Sequence, residues 1–267
     1  MSNVNITGMG IINSVANNTE EFKNALIEGK CGILFSKDIN GYIAPIPELD
    51  FCAHMSKYKN MYPGQYKHTL ELLHKEPTDV KNTVLATWEA AAMSNLMDVE
   101  DRRRVSIVIA GSNLFQSQVY SIYDKYWERS EYTNPRYAVR YMDTYIMSLI
   151  SEIFKIKGEG FTVGGASASG NVAITKAKQL IDLDLADICL VIGSPTSLST
   201  FELKAFENLG ALGGKEKKVS PAEVCRPFDK KHDGFIPGQC AACIVIEKEG
   251  LRSIEKKSCF VFSSFIS

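Results

Sequence analysis

The sequence has almost no net charge, because 30 Lys and Arg residues are balanced by 31 Asp and Glu residues to give a formal net charge of -1. Such a chain has no electrostatic basis for binding nucleic acid or a membrane surface, and we expect neither as a partner. Two short basic runs, at residues 102–104 and 215–218, are typical of solvated surface segments.

Long apolar runs are also lacking. No stretch approaches the roughly 20 consecutive apolar residues that a membrane-spanning helix needs. Met1 leads almost directly into an apolar segment at Val4 without the pattern of a signal peptide. The sequence therefore predicts a protein of the cytoplasm without a membrane anchor.

The cysteines do not form the pattern of a disulfide framework. Their number, 7, is odd, and they are spread over 267 residues, a length at which burial alone can stabilise a core. The closest pair, Cys240 and Cys243, lies in an apolar run that predicts a strand. Positions i and i+3 of a strand point to opposite faces, and no second Cys or His pair accompanies them. We therefore expect small buried side chains here and no metal.

Segments with strand and helix patterns alternate along the chain, which predicts an α/β fold with a mainly parallel sheet. Residues 42–78 are predicted to be irregular and receive no function. The predicted strands cover residues 4–7, 105–110, 160–163, 187–192 and 240–246, and the predicted helices cover residues 80–96, 143–156, 169–183 and 200–208.

The most informative segment is residues 161–171, in which a strand, two glycines, Ser167 and a helix follow one another. This order is typical of a nucleophile elbow, which exposes a serine side chain and directs its backbone N–H to a developing oxyanion. The same pattern is compatible with a serine that only caps the helix. Both interpretations remain open from this segment alone.

Four motifs in the same order resemble those of the β-ketoacyl synthases of fatty-acid and polyketide assembly. Residues 165–170 (Gly-Ala-Ser-Ala-Ser-Gly) are similar to the family's active-site motif T-A-C-[ST]-[ST]-[GS]. The other motifs are an opening strand and turn at residues 6–10, a strand ending in glycine at residues 105–112, and the R-P-F-D…D-G-F…G signature at residues 226–238. The resemblance implies a thiolase-like fold, of which residues 1–267 would be the N-terminal βαβ half.

Three departures from the family pattern affect the chemistry. Ser167 stands where condensing enzymes have their nucleophilic cysteine, and an alcohol attacks a thioester only with an adjacent base. Gln239 and Cys240 replace a Glu-Gly pair. The two catalytic histidine motifs of the family's C-terminal half are absent, and His232 occupies the position of a non-catalytic arginine.

A serine at this position resembles the decarboxylating ketosynthases of polyketide β-branching cassettes, which convert malonyl to acetyl on an acyl carrier protein. The resemblance implies that Ser167 supplies an oxyanion-hole N–H and that acyl carrier protein is a partner. It implies no metal or organic cofactor, because the phosphopantetheine arm belongs to the carrier protein. We expect the chain to need a C-terminal ketosynthase half that is either missing from a truncated form or present as a separate polypeptide. We also expect a homodimer, or a heterodimer with such a half.

Two other functions compete with this one. A serine hydrolase would use Ser167, Asp187 and His232, which occur in the order found in α/β-hydrolases. A non-catalytic subunit similar to a chain-length factor, or a degenerate ketosynthase partner, would explain the missing histidines.

Overall fold

A six-stranded sheet organises the chain in the computed structural model, which describes residues 3–37, 39–214, 219–251 and 260–262. The strands are β1 (Val4–Asn13), β2 (Leu34–Ser36), β3 (Gly41–Ile43), β4 (Val105–Ala110), β5 (Gly160–Val163), β6 (Ile188–Gly193), β7 (Cys240–Lys248) and β8 (Phe260–Phe262). The helices are α1 (Thr19–Ile27), α2 (Phe51–Met55), α3 (Pro63–Leu73), α4 (Thr78–Met93), α5 (Gln116–Tyr126), α6 (Tyr137–Arg140), α7 (Tyr145–Phe154), α8 (Ser169–Asp182), α9 (Thr200–Asn208) and α10 (Pro221–Val224).

The strand order of the main sheet is β5-β4-β6-β7-β1-β8. β5, β4 and β6 are parallel neighbours, whereas β7 is antiparallel to both β6 and β1. β1, β4, β5 and β6 consequently run in one direction and β7 and β8 in the other. The α/β prediction is confirmed, and the carboxyl ends of β4, β5 and β6 meet at one edge of the sheet.

The two faces of the sheet are covered by different helices. One face packs on α4 and α7 in a cluster that includes the fully buried Trp88, and the other packs on α8. The apolar runs of β4 and β6 fit this double cover, since strands in a parallel sheet are buried on both sides.

The first strand is longer than its sequence pattern predicts. β1 continues through Gly8 and Gly10 to Asn13, so the prediction of a turn at these glycines is wrong. A Cβ on Gly8 would lie 2.1 Å from the carbonyl oxygen of Ala90, and one on Gly10 would lie 2.0 Å from that of Ala86. The glycines serve a close approach of β1 to the backbone of α4.

Residues 42–78 are not irregular, contrary to the prediction. They contain parts of β3 together with α2 and α3, and α3 begins at Pro63, a residue favoured in the first helical turn. Tyr58 stacks on Trp88 with ring centroids 4.9 Å apart. This contact joins positions far apart in sequence, which is why no local pattern revealed it.

The two basic runs have different outcomes. Residues Arg102–Arg104 form a 3-10 turn, in which Arg103 is exposed as predicted while Arg102 and Arg104 are half-buried and make specific contacts. Arg102 donates to the carbonyl of Leu96 at 2.7 Å, and Arg104 pairs with Asp187 at 2.7 Å. The run at 215–218 lies outside the described residues.

Candidate active site

The turn between β5 and α8 is a strained elbow. Two glycines follow Val163, and a 3-10 turn over Ala166–Ala168 leads into α8. Ala166 has φ 46°, a left-handed conformation that costs a residue with a side chain roughly 1–2 kcal/mol. Strained backbone persists only where its surroundings enforce it, and it is concentrated at functional sites. Residues 164–169 are called the Ser167 elbow below.

Ser169, and not Ser167, closes this elbow. Its Oγ accepts a hydrogen bond from the Gly165 N–H at 3.0 Å and donates one to the carbonyl of Ala166 at 2.7 Å. The residue that caps α8 is Ala168, which makes no side-chain hydrogen bond. The interpretation of Ser167 as a helix cap therefore has no support in the structure.

Ser167 is exposed, and neither its hydroxyl nor its backbone N–H bonds to any residue that the structure describes. The N–H lies just before the first turn of α8, where the helix dipole favours negative charge. It is therefore available to an external oxygen. The hydroxyl has no hydrogen bond to a base among the described residues.

The geometry does not assemble the triad of a serine hydrolase. Asp187 is held by Arg104 through two bonds of 2.9 and 2.7 Å. It precedes β6, whereas the end of β6 at Gly193 is level with the end of β5 at Val163. Six strand residues separate these levels by roughly 20 Å. His232 lies in an exposed loop, with Nδ1 2.7 Å from the carbonyl oxygen of Asp229.

The loop after β4, residues 111–115, forms one side of the elbow. Gly111 donates to the carbonyl of Val163 at 2.9 Å. A Cβ on Gly164 would lie 3.5 Å from Ser112 Oγ, so the Ser112 side chain faces the first residue of the elbow. We call this segment the β4 loop.

A polar cluster lies after the carboxyl end of β6. Gln118 donates to Asp79 Oδ2 at 3.2 Å, and Gln239 Nε2 donates to Ser197 Oγ at 2.8 Å. Burial raises the pKa of the Asp79 carboxyl, while contacts with Ser197 and Gln118 act in the opposite direction. This cluster joins α4, α5 and the loop after β6 to the start of β7.

Gln239 has a structural role that its sequence position did not reveal. Its Oε1 accepts from the N–H of Ile46 at 3.0 Å, while its Nε2 donates to Ser197. A carboxylate, as in the family motif, could accept the first bond but could not donate the second. The amide is therefore matched to this arrangement.

The predictions for Cys240 and Cys243 hold in part. Both lie in β7, and Cys243 is buried, whereas Cys240 is exposed at the start of the strand. The prediction that both are buried is wrong for Cys240. No group of three His, Cys, Asp or Glu side chains within the described ranges could hold a metal ion. No described helix is long and apolar enough to cross a bilayer.

Sequence reasoning missed Ser169, Asp79 and Asp143, which hold the site together. Ser169 could have been found, since a hydroxyl four residues after Gly165 can bond back to its N–H. Asp79 and Asp143 reach partners 39 and 29–30 residues away in sequence. No local pattern signals those contacts.

Comparison with known families decides the relationship. A family model, the β-ketoacyl synthase N-terminal domain, matches residues 1–250. The chain belongs to the β-ketoacyl synthase family. It is 31% identical over 250 residues to the polyketide biosynthesis malonyl-ACP decarboxylase PksF of Bacillus subtilis (strain 168), with 91% of this chain and 57% of PksF covered.

Solved structures of ketosynthases share the fold of this β-ketoacyl synthase chain. The ishigamide ketosynthase/chain length factor superposes with a TM-score of 0.73 at 21% identity, covering 93% of this chain and 59% of that one. A ketosynthase bound to a type II polyketide synthase acyl-carrier protein gives 0.75 at 19% identity, covering 93% and 58%. The thiolase-like fold is confirmed, and the chain spans a little over half the length of these relatives.

Proposed function

We propose that this chain is part of a malonyl-acyl-carrier-protein decarboxylase that yields acetyl-carrier protein in polyketide biosynthesis. One observation carries the proposal: the elbow keeps a strained backbone at Ala166, and at its exposed Ser167 neither the N–H nor the hydroxyl bonds to a described residue. The similarity to PksF, a malonyl-ACP decarboxylase, supports it.

The chemistry needs an oxyanion donor and no acylated nucleophile. Breaking the bond between the malonyl Cα and its carboxylate releases CO₂ and leaves the electron pair on the thioester as an enolate. A proton from solvent or a nearby acid then gives the acetyl thioester. The Ser167 N–H stabilises the enolate oxygen, a contribution that is typically worth about 3 kcal/mol for one donor. Without a thiol, no growing chain is loaded.

Within this proposal, the catalytic histidines come from a C-terminal ketosynthase half outside these 267 residues, and the phosphopantetheine arm comes from the carrier protein. A solved ketosynthase complex with an acyl-carrier protein supports the choice of partner. No metal or organic cofactor has a role in the proposed reaction, and the protein acts in the cytoplasm.

The test is an assay of malonyl carrier protein by mass spectrometry, with and without a C-terminal ketosynthase half. We expect acetyl-carrier protein only when both halves are present. Ser167→Ala keeps the N–H and should retain the rate within a few-fold, whereas Ser169→Ala disturbs the elbow and should lower it by about 10- to 100-fold. Rapid turnover by the 267-residue chain alone would contradict the need for a second half.

A non-catalytic partner subunit is the second candidate. No described histidine hydrogen-bonds to Ser167, which favours it, as does the structural likeness to a ketosynthase/chain length factor pair. In that case, no combination with a C-terminal half would produce acetyl-carrier protein. The chain would instead form a stable complex with a ketosynthase that carries its own cysteine.

A further inference from the structure

One acidic residue bonds to two segments that lead into the site, the β4 loop and β5. Asp143 precedes α7, and its carboxylate accepts hydrogen bonds from the N–H groups of Asn113 and Leu114, each at 2.8 Å. Its backbone carbonyl accepts a third from the hydroxyl of Thr162 at 3.1 Å. Asn113 and Leu114 belong to the β4 loop, and Thr162 belongs to β5, which carries the Ser167 elbow.

The β4 loop has a conformation that requires support. Gly111 has φ 140° and Asn113 has φ 57°, so two of its residues leave the conformations that a strand or helix would stabilise. Leu114 and Phe115 are each 3% exposed, which anchors the far end of the loop in the core. The carboxylate of Asp143 accepts from two consecutive N–H groups of the loop, those of Asn113 and Leu114, and hydrogen bonds to a carboxylate are about twice as strong as neutral ones.

Asp143 is itself held by a rigid element. α7 buries Ile146, Ile150 and Ile153 in the main core. Met147 of the same helix lies where a Cβ on Gly160, the first residue of β5, would fall 2.3 Å from its sulfur. The position of α7 relative to β5 is therefore fixed, and so is the carboxylate that precedes α7.

The loop and the elbow are in contact, so the position of one affects the other. Gly111 bonds to Val163, and Ser112 faces Gly164. A loop that moved would remove one wall from the first residue of the elbow. Thr162, two residues before Gly164, is held separately by the carbonyl of Asp143.

We propose that Asp143 is a positioning residue, which fixes the β4 loop and β5 so that the Ser167 N–H keeps the direction that an oxyanion requires. This inference deepens the proposed function and rests on it, because the direction of the N–H matters for catalysis only if an oxyanion binds there. Asp143 is not proposed to touch the substrate. Its bonds to the protein occupy both carboxylate oxygens.

The test uses a thiol as a reporter of the elbow. In a Ser167→Cys chain, the rate of alkylation at position 167 by iodoacetamide is measured against pH by peptide mass spectrometry, which separates it from the other cysteines. Amide hydrogen exchange is followed in peptides covering residues 111–116 and 160–166. Asp143→Ala is added to this background, with Asp124→Ala on the exposed face of α5 as the matched control.

With Asp143 intact, the helix start should hold the pKa of the thiol at position 167 below its ordinary value of about 8.5. Asp143→Ala should raise that pKa, slow alkylation at pH 7 by about 3- to 10-fold, and speed exchange in both peptides. The control should change none of these. Faster exchange with an unchanged alkylation profile would show that Asp143 only stabilises the loop, and this would overturn the proposal. No change in either measurement would overturn it too.

Thr162→Val keeps the test decisive if Asp143→Ala does not fold. It removes only the bond from Thr162 to the carbonyl of Asp143 and keeps a β-branched side chain in β5. A smaller change in the alkylation profile, in the same direction, is expected, and an unchanged profile would contradict the proposal. No malonyl substrate enters this experiment, so its result is independent of whether the chain supports decarboxylation.

Discussion

The two serines of the elbow, Ser167 and Ser169, have different roles. Ser169 bonds to the backbone of Gly165 at 3.0 Å and of Ala166 at 2.7 Å, while the hydroxyl of Ser167 bonds to no described residue. Ser169 therefore stabilises the turn, whereas the N–H and the side chain of Ser167 are available to an external ligand. Deleting each hydroxyl should therefore have different consequences.

Ser169→Ala is expected to destabilise the chain by about 1–2 kcal/mol, because it leaves the Gly165 N–H without its partner. The Ala166 carbonyl loses the bond from the hydroxyl but keeps the one from the Ser169 N–H. Urea unfolding followed by circular dichroism measures this change in free energy. Ser121→Ala, which removes one exposed hydrogen bond within α5, is the control and should cost under about 0.5 kcal/mol. Equal effects of the two variants would show that Ser169 does not hold the elbow.

Asp79 should make stability depend on pH. Because burial raises the pKa of its carboxyl, the folded chain holds this proton more tightly than the unfolded chain does. Its contribution to stability is then complete below the ordinary pKa of about 3.9 and is lost as the pH rises through the raised pKa. Asp79→Asn should remove this dependence.

Urea unfolding between about pH 4 and pH 7 checks the Asp79 prediction. The free energy of unfolding of Asp79→Asn should increase relative to that of the parent as the pH rises across this interval. The replaced side chain of Asp124→Asn is exposed, so the free energy of unfolding of this variant should depend on pH as that of the parent does. The same pH dependence in Asp79→Asn and the parent would contradict the prediction.

At the scale of elements, the contact between β1 and α4 determines the conformation of the N-terminal motif. The family resemblance placed a turn after residue 7, yet the strand continues because its glycines admit the helix backbone. Glu89 of α4 then accepts from the N–H of Ile11 at 3.1 Å and from that of Thr19 at 2.8 Å. The helix thus holds both the second half of β1 and the start of α1.

Gly8→Ala and Gly10→Ala should each cost more than about 3 kcal/mol, since the added methyl group would collide with backbone atoms that cannot move alone. Gly64→Ala, at an α3 position with nothing within 4 Å of the new Cβ, should be neutral or stabilising by up to about 1 kcal/mol. Thermal unfolding of the three variants makes the comparison. A mild effect at Gly8 and Gly10 would mean that β1 and α4 are not so closely packed.

At the scale of the whole molecule, large apolar side chains remain on the surface. Trp127 is 77% exposed, Phe201 is 70% exposed, and Phe228 is fully exposed with φ 64°. Phe201 stacks on Tyr120 with ring centroids 6.2 Å apart, so part of this apolar surface is contiguous. Contiguous exposed apolar surface is typical of sites that bind another subunit.

We expect the purified chain to sediment as a species heavier than its 29.6 kDa monomer, or together with a second polypeptide. Phe201→Ser should weaken the association, because Phe201 stacks on Tyr120 and together they form an exposed aromatic surface. Lys204→Ser, an exposed position on the same helix, is the matched control. A monomer at about 10 µM that is unaffected by Phe201→Ser would contradict this prediction.

The sequence by itself determined the fold class, the family and the position of the elbow. Apolar runs at β4 and β6, the glycine pair and the Ser167 motif are local patterns, and local patterns report periodicity and turn chemistry directly. The same is true of the missing thiol and the missing histidine motifs, which are absences that can be read from the chain.

Only the tertiary structure decided which side chains support the site. The bonds of Asp143 to the β4 loop and of Gln239 to Ser197 join segments 29 to 42 residues apart, and the packing of β1 on α4 turned two apparent turn glycines into packing positions. Such contacts depend on how the sheet brings strand ends together, a property of the folded chain that no single segment encodes.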